Sequence, residues 1–148
     1  MEELQHSIRE MIHITDQEMQ SLLRDCRVQT YSSKSLLSTP GAIPQEIFYI
    51  VQGLVRVIVH DHDGNEHTMH FAMEHQFIAD YASYILQQPA LYSLQAMEET
   101  QVVIMPRSTI DWGYAELTEG NKMGRLIAEF YFIYQENRLR NGYARTPK

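Results

Sequence analysis

The feature that most constrains the fold is a series of short segments rich in β-branched and aromatic residues, with turn residues between them. This composition is typical of β-strands. Residues 61–65, Asp-His-Asp-Gly-Asn, are a hairpin signal, because Gly and Asn tolerate the positive φ of tight turns. Short strands joined by turns favour a β-sandwich or jelly roll over a parallel sheet. The predicted strands are 28–31, 36–37, 47–51, 54–60, 66–73, 91–96 and 101–105.

Helical patterns flank the strands on both sides. Leu4 and Ile8 recur at helical spacing, and Thr15 with Glu18 forms a capping box that starts a second helix. After the strands, Ser108 begins a capping-box-like Ser-Thr-Ile-Asp, which predicts a short helix to residue 117. A long helix follows over about 122–141. We therefore predict one domain over 1–148, mainly β with flanking α, divided into N-terminal helices (1–27), a β-roll (28–106) and C-terminal helices (107–144).

The long helix carries an apolar seam. Met123, Ile127, Phe130, Tyr134 and Asn137 repeat at alternating spacings of four and three, as in an a/d seam. Other apolar residues extend the surface beyond this seam, and a helix apolar over so wide an arc needs two surfaces to pack against. We expect one to be its own barrel and the other a second copy of the chain. The alternative is that the whole arc packs inside one subunit.

Charge and composition exclude several classes of function. The chain has 12 Lys and Arg against 19 Asp and Glu, a net charge of −7, so it is not a nucleic-acid binder as it stands. The single cysteine, Cys26, cannot form an internal disulfide, and no secretory signal or membrane span is present, which predicts a cytoplasmic protein. No nucleophile elbow or phosphate loop occurs, so neither an enzyme nor a cofactor is expected.

Four segments in a fixed order resemble one known family. These are Phe-Tyr-Ile-Val-Gln-Gly-Leu-Val-Arg-Val (48–57), Asp-Gly-Asn-Glu-His (63–67), Phe-Ile-Ala-Asp (77–80) and Pro-Arg-Ser (106–108). Together they resemble the cyclic-nucleotide-binding domain of Crp/Fnr-type transcription regulators. The resemblance covers nearly the whole chain and implies an eight-stranded jelly roll, or double-stranded β-helix, with N-terminal helices and a long dimerisation helix. It also implies a homodimer.

In this family a DNA-reading helix-turn-helix follows the long helix. Here Thr146-Pro147 is typical of the start of a helix, with an N-cap followed by proline at the first helical position. We therefore expect the sequence to end just before a DNA-binding domain, so that DNA would be contacted only through a domain absent from this chain.

The resemblance identifies a degenerate pocket. The family cassette holds a cyclic nucleotide with a glycine, a glutamate, an arginine and a small hydroxyl residue, which fall here on Ala79, Asp80, Ala90 and Leu91. Only Asp80 keeps its chemistry. No Lys or Arg lies between residues 56 and 107, so a buried phosphate would have no cation to pair with. We expect that cAMP and cGMP do not bind in the usual way.

Apolar and aromatic residues replace the polar ones of the cassette. The pocket is therefore either filled by its own side chains or shaped for an apolar or neutral effector, which the sequence does not identify. Gln135 falls on the long helix near the place where the family closes the pocket. The candidate ligand-binding residues are Phe77, Ile78, Ala79, Asp80, Ala90, Leu91, Tyr92 and Gln135.

Two alternatives belong to other functional classes. His60, His62 and Glu66 match the H-x-H-x3-E spacing of cupin metal sites, and cupins are also jelly rolls. Against this, the residues flank a predicted exposed hairpin turn, and no histidine follows His75 to complete such a site. We therefore predict no metal site. The other alternative is an interaction module that keeps the fold without binding a ligand.

Overall fold

The computed structural model describes the backbone of residues 1–145 and the side chains of residues 1–133. Two four-stranded antiparallel sheets have the strand orders β1-β8-β3-β6 and β2-β7-β4-β5. This arrangement confirms the predicted jelly roll with flanking helices. The elements are α1 (Glu2–Met11), α2 (Asp16–Leu23), β1 (Arg27–Tyr31), β2 (Leu36–Ser38), β3 (Glu46–Gln52), β4 (Leu54–His60), β5 (Glu66–Met73), β6 (Phe77–Ile78), α3 (Tyr81–Leu86), β7 (Ser93–Ala96), β8 (Thr100–Pro106), α4 (Arg107–Glu116) and α5 (Gly120–Arg145).

The hairpin between β4 and β5 forms as predicted. The two strands pair from Leu54 opposite Met73 to His60 opposite Glu66. In the turn, the Asp61 carboxylate accepts hydrogen bonds from the backbone N–H groups two and four residues later, both at 2.9 Å. These bonds satisfy backbone donors that the sheet leaves unpaired, so the local sequence alone defines the turn.

Strand β3 is buried on both faces, which explains its continuous apolar run. Phe48 and Ile50 point into the roll, where they pack with residues of β4, β7 and β8. Tyr49 and Val51 point the other way, into a second core beneath α1 and α2. A strand covered by a sheet on one side and helices on the other needs apolar residues at every position.

The N-terminal capping box is present in α2. The Thr15 hydroxyl accepts from the Glu18 N–H at 3.1 Å, and the Glu18 carboxylate accepts from the Thr15 N–H at 3.0 Å. Cys26, beyond the end of this helix, is half-buried, and burial raises the pKa of its thiol to about 11. Its environment is that of a structural, unreactive cysteine.

The predicted start of α4 is wrong. The helix begins at Arg107 and not at Ser108, and its N-cap, Pro106, makes no side-chain capping bond. The reason is that β8 leads directly into the helix. Pro106 is still paired with Glu46 of β3, and the Arg107 N–H donates to the Gln45 carbonyl at 2.8 Å. The carbonyl of the residue before β3 thereby binds a backbone N–H of the first helical turn that a capping side chain would otherwise bind.

The corner between α4 and α5 depends on a close backbone approach. A Cβ atom placed on Gly120 would lie 2.0 Å from the Gly113 carbonyl oxygen, so only glycine fits there. Helix α5 then runs from Gly120 to Arg145, longer than the predicted 122–141. The predicted further helix start at residues 146–147 lies outside the described residues. Among the helices that the structure describes, none is long and apolar enough to cross a membrane.

Candidate functional site

The site is built around Asp80, between β6 and α3. Its side chain is 2% exposed, and Oδ1 accepts from the Ser83 N–H at 3.3 Å, which makes it the N-cap of α3. An aspartate at this position satisfies a donor at the helix start and is favoured by the helix dipole. The helix is only six residues long and ends at Gln87, which has a left-handed φ of 54°.

The second carboxylate oxygen of Asp80 accepts hydrogen bonds from the loop after α3. Oδ2 accepts from the backbone N–H groups of Leu91 at 2.9 Å and Tyr92 at 3.2 Å. Three backbone donors therefore converge on one buried carboxylate. Convergent N–H groups of this kind form an anion-binding site, and here the chain supplies the anion itself.

The other predicted cassette residues have different environments. Ala79 is buried against Ile47 and Tyr84. Ala90 is 3% exposed, and its backbone bonds the loop at Gly41 and Ala42. No cationic group stands at either position. Small apolar side chains therefore pack at the two positions where the resemblance predicts the family's glycine and arginine.

Four further predicted residues complete this region. Leu91 is 67% exposed, so its backbone N–H and not its side chain faces the site. Tyr92 and Phe77 are partly buried, and Ile78 packs inside the roll. The side chain of Gln135 lies outside the described residues.

Aromatic contacts join α5 to α3 and to strand β5. The ring of Tyr131 is 4.5 Å from that of Tyr81 and 5.6 Å from that of His70, both edge-on. His70 is 3% exposed and lies opposite Val57 in the sheet. Sequence reasoning did not select Tyr131 or His70. Strand alternation on β5 could have indicated His70, because it shares the inward face with the buried Ala72.

Comparison with known proteins identifies the family. The family model "Cyclic nucleotide-binding domain" matches residues 28–115. The chain belongs to this family.

Relatives with known names agree with this assignment. The cAMP-activated global transcriptional regulator CRP of Salmonella typhimurium is 32% identical over 66 residues, which are 45% of this chain. The matched segment spans 31% of that protein, about a third of its length. These findings confirm the predicted resemblance to Crp/Fnr-type regulators.

Solved structures show the same fold. A cyclic nucleotide-binding domain from Methylobacillus flagellatus has a TM-score of 0.79 at 18% identity, covering 95% of this chain and 83% of that one. The c-di-GMP responsive regulator CLP of Xanthomonas campestris has a TM-score of 0.71 at 12% identity, covering 87% and 64%.

Beside the cassette lies a larger groove, between α1, β5, β6 and α5. Its volume is about 760 Å³, and most of its walls are apolar. Two lining residues, Ser7 and His75, are linked through the Tyr49 hydroxyl, which lies within hydrogen-bond distance of Ser7 Oγ (2.5 Å), the Glu3 carbonyl (3.1 Å) and His75 Nδ1 (3.1 Å). Residues that line the groove include Ser7, Glu10, Met11, His75, Phe77, Leu126, Phe130 and Ile133.

The histidines of the hairpin are not arranged as a metal site. Glu66 accepts from Arg56 at 3.0 Å, and its other oxygen is 3.7 Å from His60 Nε2. His62 lies in the exposed turn. Among the side chains described, no group of three His, Cys, Asp or Glu residues could hold a metal ion. The cupin-like alternative therefore gains no support from this hairpin.

The apolar residues of α5 divide between the core and the surface. Met123 is 7% exposed and packs in the core beneath α1 and α2, so its side chain is already used within this chain. Ile127 is half-buried against the same core. Phe130, Phe132 and Ile133 are 64%, 65% and 52% exposed. The predicted seam residues Tyr134 and Asn137 lie outside the described side chains.

Proposed function

We propose that this chain is the sensing and dimerisation domain of a Crp/Fnr-like transcription regulator whose cassette does not bind cAMP or cGMP in the usual way. The observation that carries the proposal is the Asp80 carboxylate, which binds the three backbone N–H groups of Ser83, Leu91 and Tyr92. These are the kind of donors that a phosphate would need. An incoming phosphate would have to displace a tethered anion from them.

Electrostatics also disfavour a cyclic phosphate at this place. The Arg56 guanidinium is bound to Glu66 and Gln95 on the outer side of its sheet. The cassette itself contains no Lys or Arg. A phosphate beside Asp80 would then be a desolvated pair of like charges, which costs several kcal/mol. The relative from Salmonella is described as cAMP-activated, but at the four positions of the family cassette pattern this chain keeps the chemistry of one alone, with Asp80 in place of a glutamate.

The effector that fits better is apolar or neutral. The groove beside the cassette is large enough for a small molecule, since ligand pockets have volumes of roughly 300–1,000 Å³ and mostly apolar walls. The family fold accommodates different ligands, because a structural relative is described as c-di-GMP responsive. The filled cassette also supports the second candidate, an interaction module without a ligand. The interaction module would bind no small molecule, whereas the sensing domain would bind its effector.

The partner of α5 in this proposal is a second copy of the chain. Phe130 and Ile133 form an exposed apolar face, with Phe132 also exposed, on a helix that Crp/Fnr-like regulators use for dimerisation. An effector would shift the two helices relative to each other and so change the spacing of DNA-binding domains outside this chain. A regulator of this kind is a cytoplasmic, non-enzymatic protein.

Titration calorimetry with cAMP and cGMP tests the cassette. The Salmonella relative serves as the positive control under the same conditions. We expect no saturable heat from this chain, and no rise in its unfolding temperature. A ligand at a hundred times its Kd would add about 2.7 kcal/mol of stability, which is easily measured. Saturable one-to-one binding of either nucleotide would overturn the proposal.

Light scattering after size exclusion tests the dimer. The wild type is expected to be dimeric, and Phe130→Asp is expected to be monomeric, because the charge would be buried between two apolar helices. Arg125→Asp is a matched control on the same helix, where the arginine is exposed and bonds only Glu129 among the described residues. A monomeric wild type at high concentration would contradict dimerisation through α5.

A further inference from the structure

A second cavity lies between α3, α4 and α5. Its volume is about 230 Å³, and it shares only Ile127 with the larger groove. Ile47, Ile110 and Met123 give it apolar walls. Its size is below that of pockets for drug-sized ligands, so an occupant would be a molecule of roughly one side chain plus one polar group.

Two tyrosines that line this cavity have hydroxyls with no hydrogen-bond partner in the described part of the chain. Tyr84 is 7% exposed, and its hydroxyl, like that of Tyr81, is buried without a partner among the residues described. Both residues line the cavity. Burial raises the pKa of Tyr84 to about 12 and raises that of Tyr81 as well, so both are O–H donors at neutral pH. Buried donors without acceptors are rare and call for an explanation.

The Arg107 guanidinium, which pairs with no carboxylate among the described residues, lies near the Tyr84 hydroxyl. Arg107, the first residue of α4, lines the cavity, and its side chain makes no hydrogen bond or ion pair with any residue in the described part of the chain. Asp111, one turn later, and then Arg107 act on the Tyr84 hydroxyl electrostatically and in opposite directions. Arg107 and Asp111 do not pair with each other, although both line the cavity.

We propose that this cavity is a binding site for a small apolar monocarboxylate. The carboxylate receives hydrogen bonds from the Arg107 guanidinium and the Tyr84 hydroxyl, which together offer a fork and a third donor. The apolar body lies between Ile110 and Ile127. The negative charge of Asp111 at the same cavity opposes any anion, and opposes a dianion such as phosphate more strongly than a monocarboxylate.

A molecule bound in this cavity would contact three elements at once. The cavity walls come from the cassette helix α3, from α4 and from the first turns of α5. A bound carboxylate would therefore hold α3 against the helix that carries the exposed apolar face. The site needs neither a nucleotide in the cassette nor an occupant in the larger groove.

Calorimetry with 4-methylpentanoate, and with its neutral amide as the matched probe, tests the charge requirement. We expect one-to-one binding of the carboxylate and affinity for the amide weaker by about tenfold or more, because the charged hydrogen bonds to Arg107 are lost. Arg107→Gln should weaken carboxylate binding to the same extent. Arg125→Gln, which removes the same charge outside the cavity, should leave it unchanged.

Tyr84→Phe provides a second variant that should fold well, since removing an unpaired buried hydroxyl is close to neutral for stability. We expect it to weaken binding several-fold. Methyl NMR locates the site, because the signals of Ile110 and Ile127 should shift while that of Ile58, on the distant sheet, should not. Absence of saturable binding, equal affinity for the amide, full affinity in Arg107→Gln, or shifts confined to other methyl groups would each overturn the proposal.

Discussion

Replacing Asp80 with alanine removes the acceptor of three backbone N–H groups at once. The Ser83 N–H loses its N-cap, a loss that typically costs about 1 kcal/mol. The N–H groups of Leu91 and Tyr92 are left without an acceptor in a part-buried position, at about 1–3 kcal/mol each. Because neighbouring effects do not add fully, we expect Asp80→Ala to lower the free energy of unfolding by about 3–5 kcal/mol. This is a large part of the 5–15 kcal/mol typical of a domain.

Urea unfolding at a fixed protein concentration measures this loss. Asp80→Asn keeps one acceptor oxygen, so its free energy of unfolding should fall by about half as much as that of Asp80→Ala. Asp16→Ala removes an exposed carboxylate at the start of α2, bound only to Arg9 at 2.9 Å, and should change stability by less than about 1 kcal/mol. A loss below 1 kcal/mol for Asp80→Ala would refute the idea that these donors depend on the carboxylate.

The same variant tests whether the vacated donors bind an external anion. Sulfate stabilises most proteins by exclusion from their surface, so the wild type measures that general effect. Asp80→Ala should gain more stability from sulfate than the wild type does, because the ion can occupy the position of the lost carboxylate. Equal gains in the two proteins would mean that the donors do not form an anion site.

Two further predictions concern the helices. Gly120→Ala should destabilise the protein by about 1–3 kcal/mol in urea unfolding, because its Cβ would lie 2.0 Å from the Gly113 carbonyl oxygen. Gly113→Ala is the control and should be tolerated, since its Cβ meets only side chains at 3.6 Å. Hydrogen bonds from the backbone of Thr15 and then of Thr118 lower the pKa of Glu18 below its ordinary 4.5. The stability that Glu18 contributes is therefore complete above pH 4.5 and lost as the pH falls, and unfolding of Glu18→Gln should depend less on pH.

The strands were predictable because their signals are local. The composition of β4 and β5 and the Gly64 turn between them define a hairpin without any information from the rest of the chain. The start of α4 was not predictable in the same way. Ser108 has the local pattern of an N-cap. However, the first N–H of the helix already donates to the carbonyl of Gln45, the residue just before β3. Tertiary context replaced the local signal.

The role of Asp80 likewise depends on tertiary contacts that a local sequence pattern does not indicate. The family pattern predicted that it would be the one surviving polar residue, on a shorter side chain than glutamate. Its bonds to Leu91 and Tyr92 require the loop after α3 to fold back, which spacing alone does not indicate. The contact of Tyr131 with His70 joins a helix to a strand 61 positions away, so no local pattern could reveal it.

The tethered carboxylate also changes the competition that a soluble nucleotide would face. An internal group held by a short chain acts at an effective concentration of roughly millimolar or more. A nucleotide present at micromolar levels would have to bind those backbone donors about a thousandfold more tightly than Asp80 does, merely to occupy them half of the time. If the proposed function holds, the cassette is insulated from ordinary fluctuations in nucleotide level, and a regulatory signal has to enter this domain through another surface.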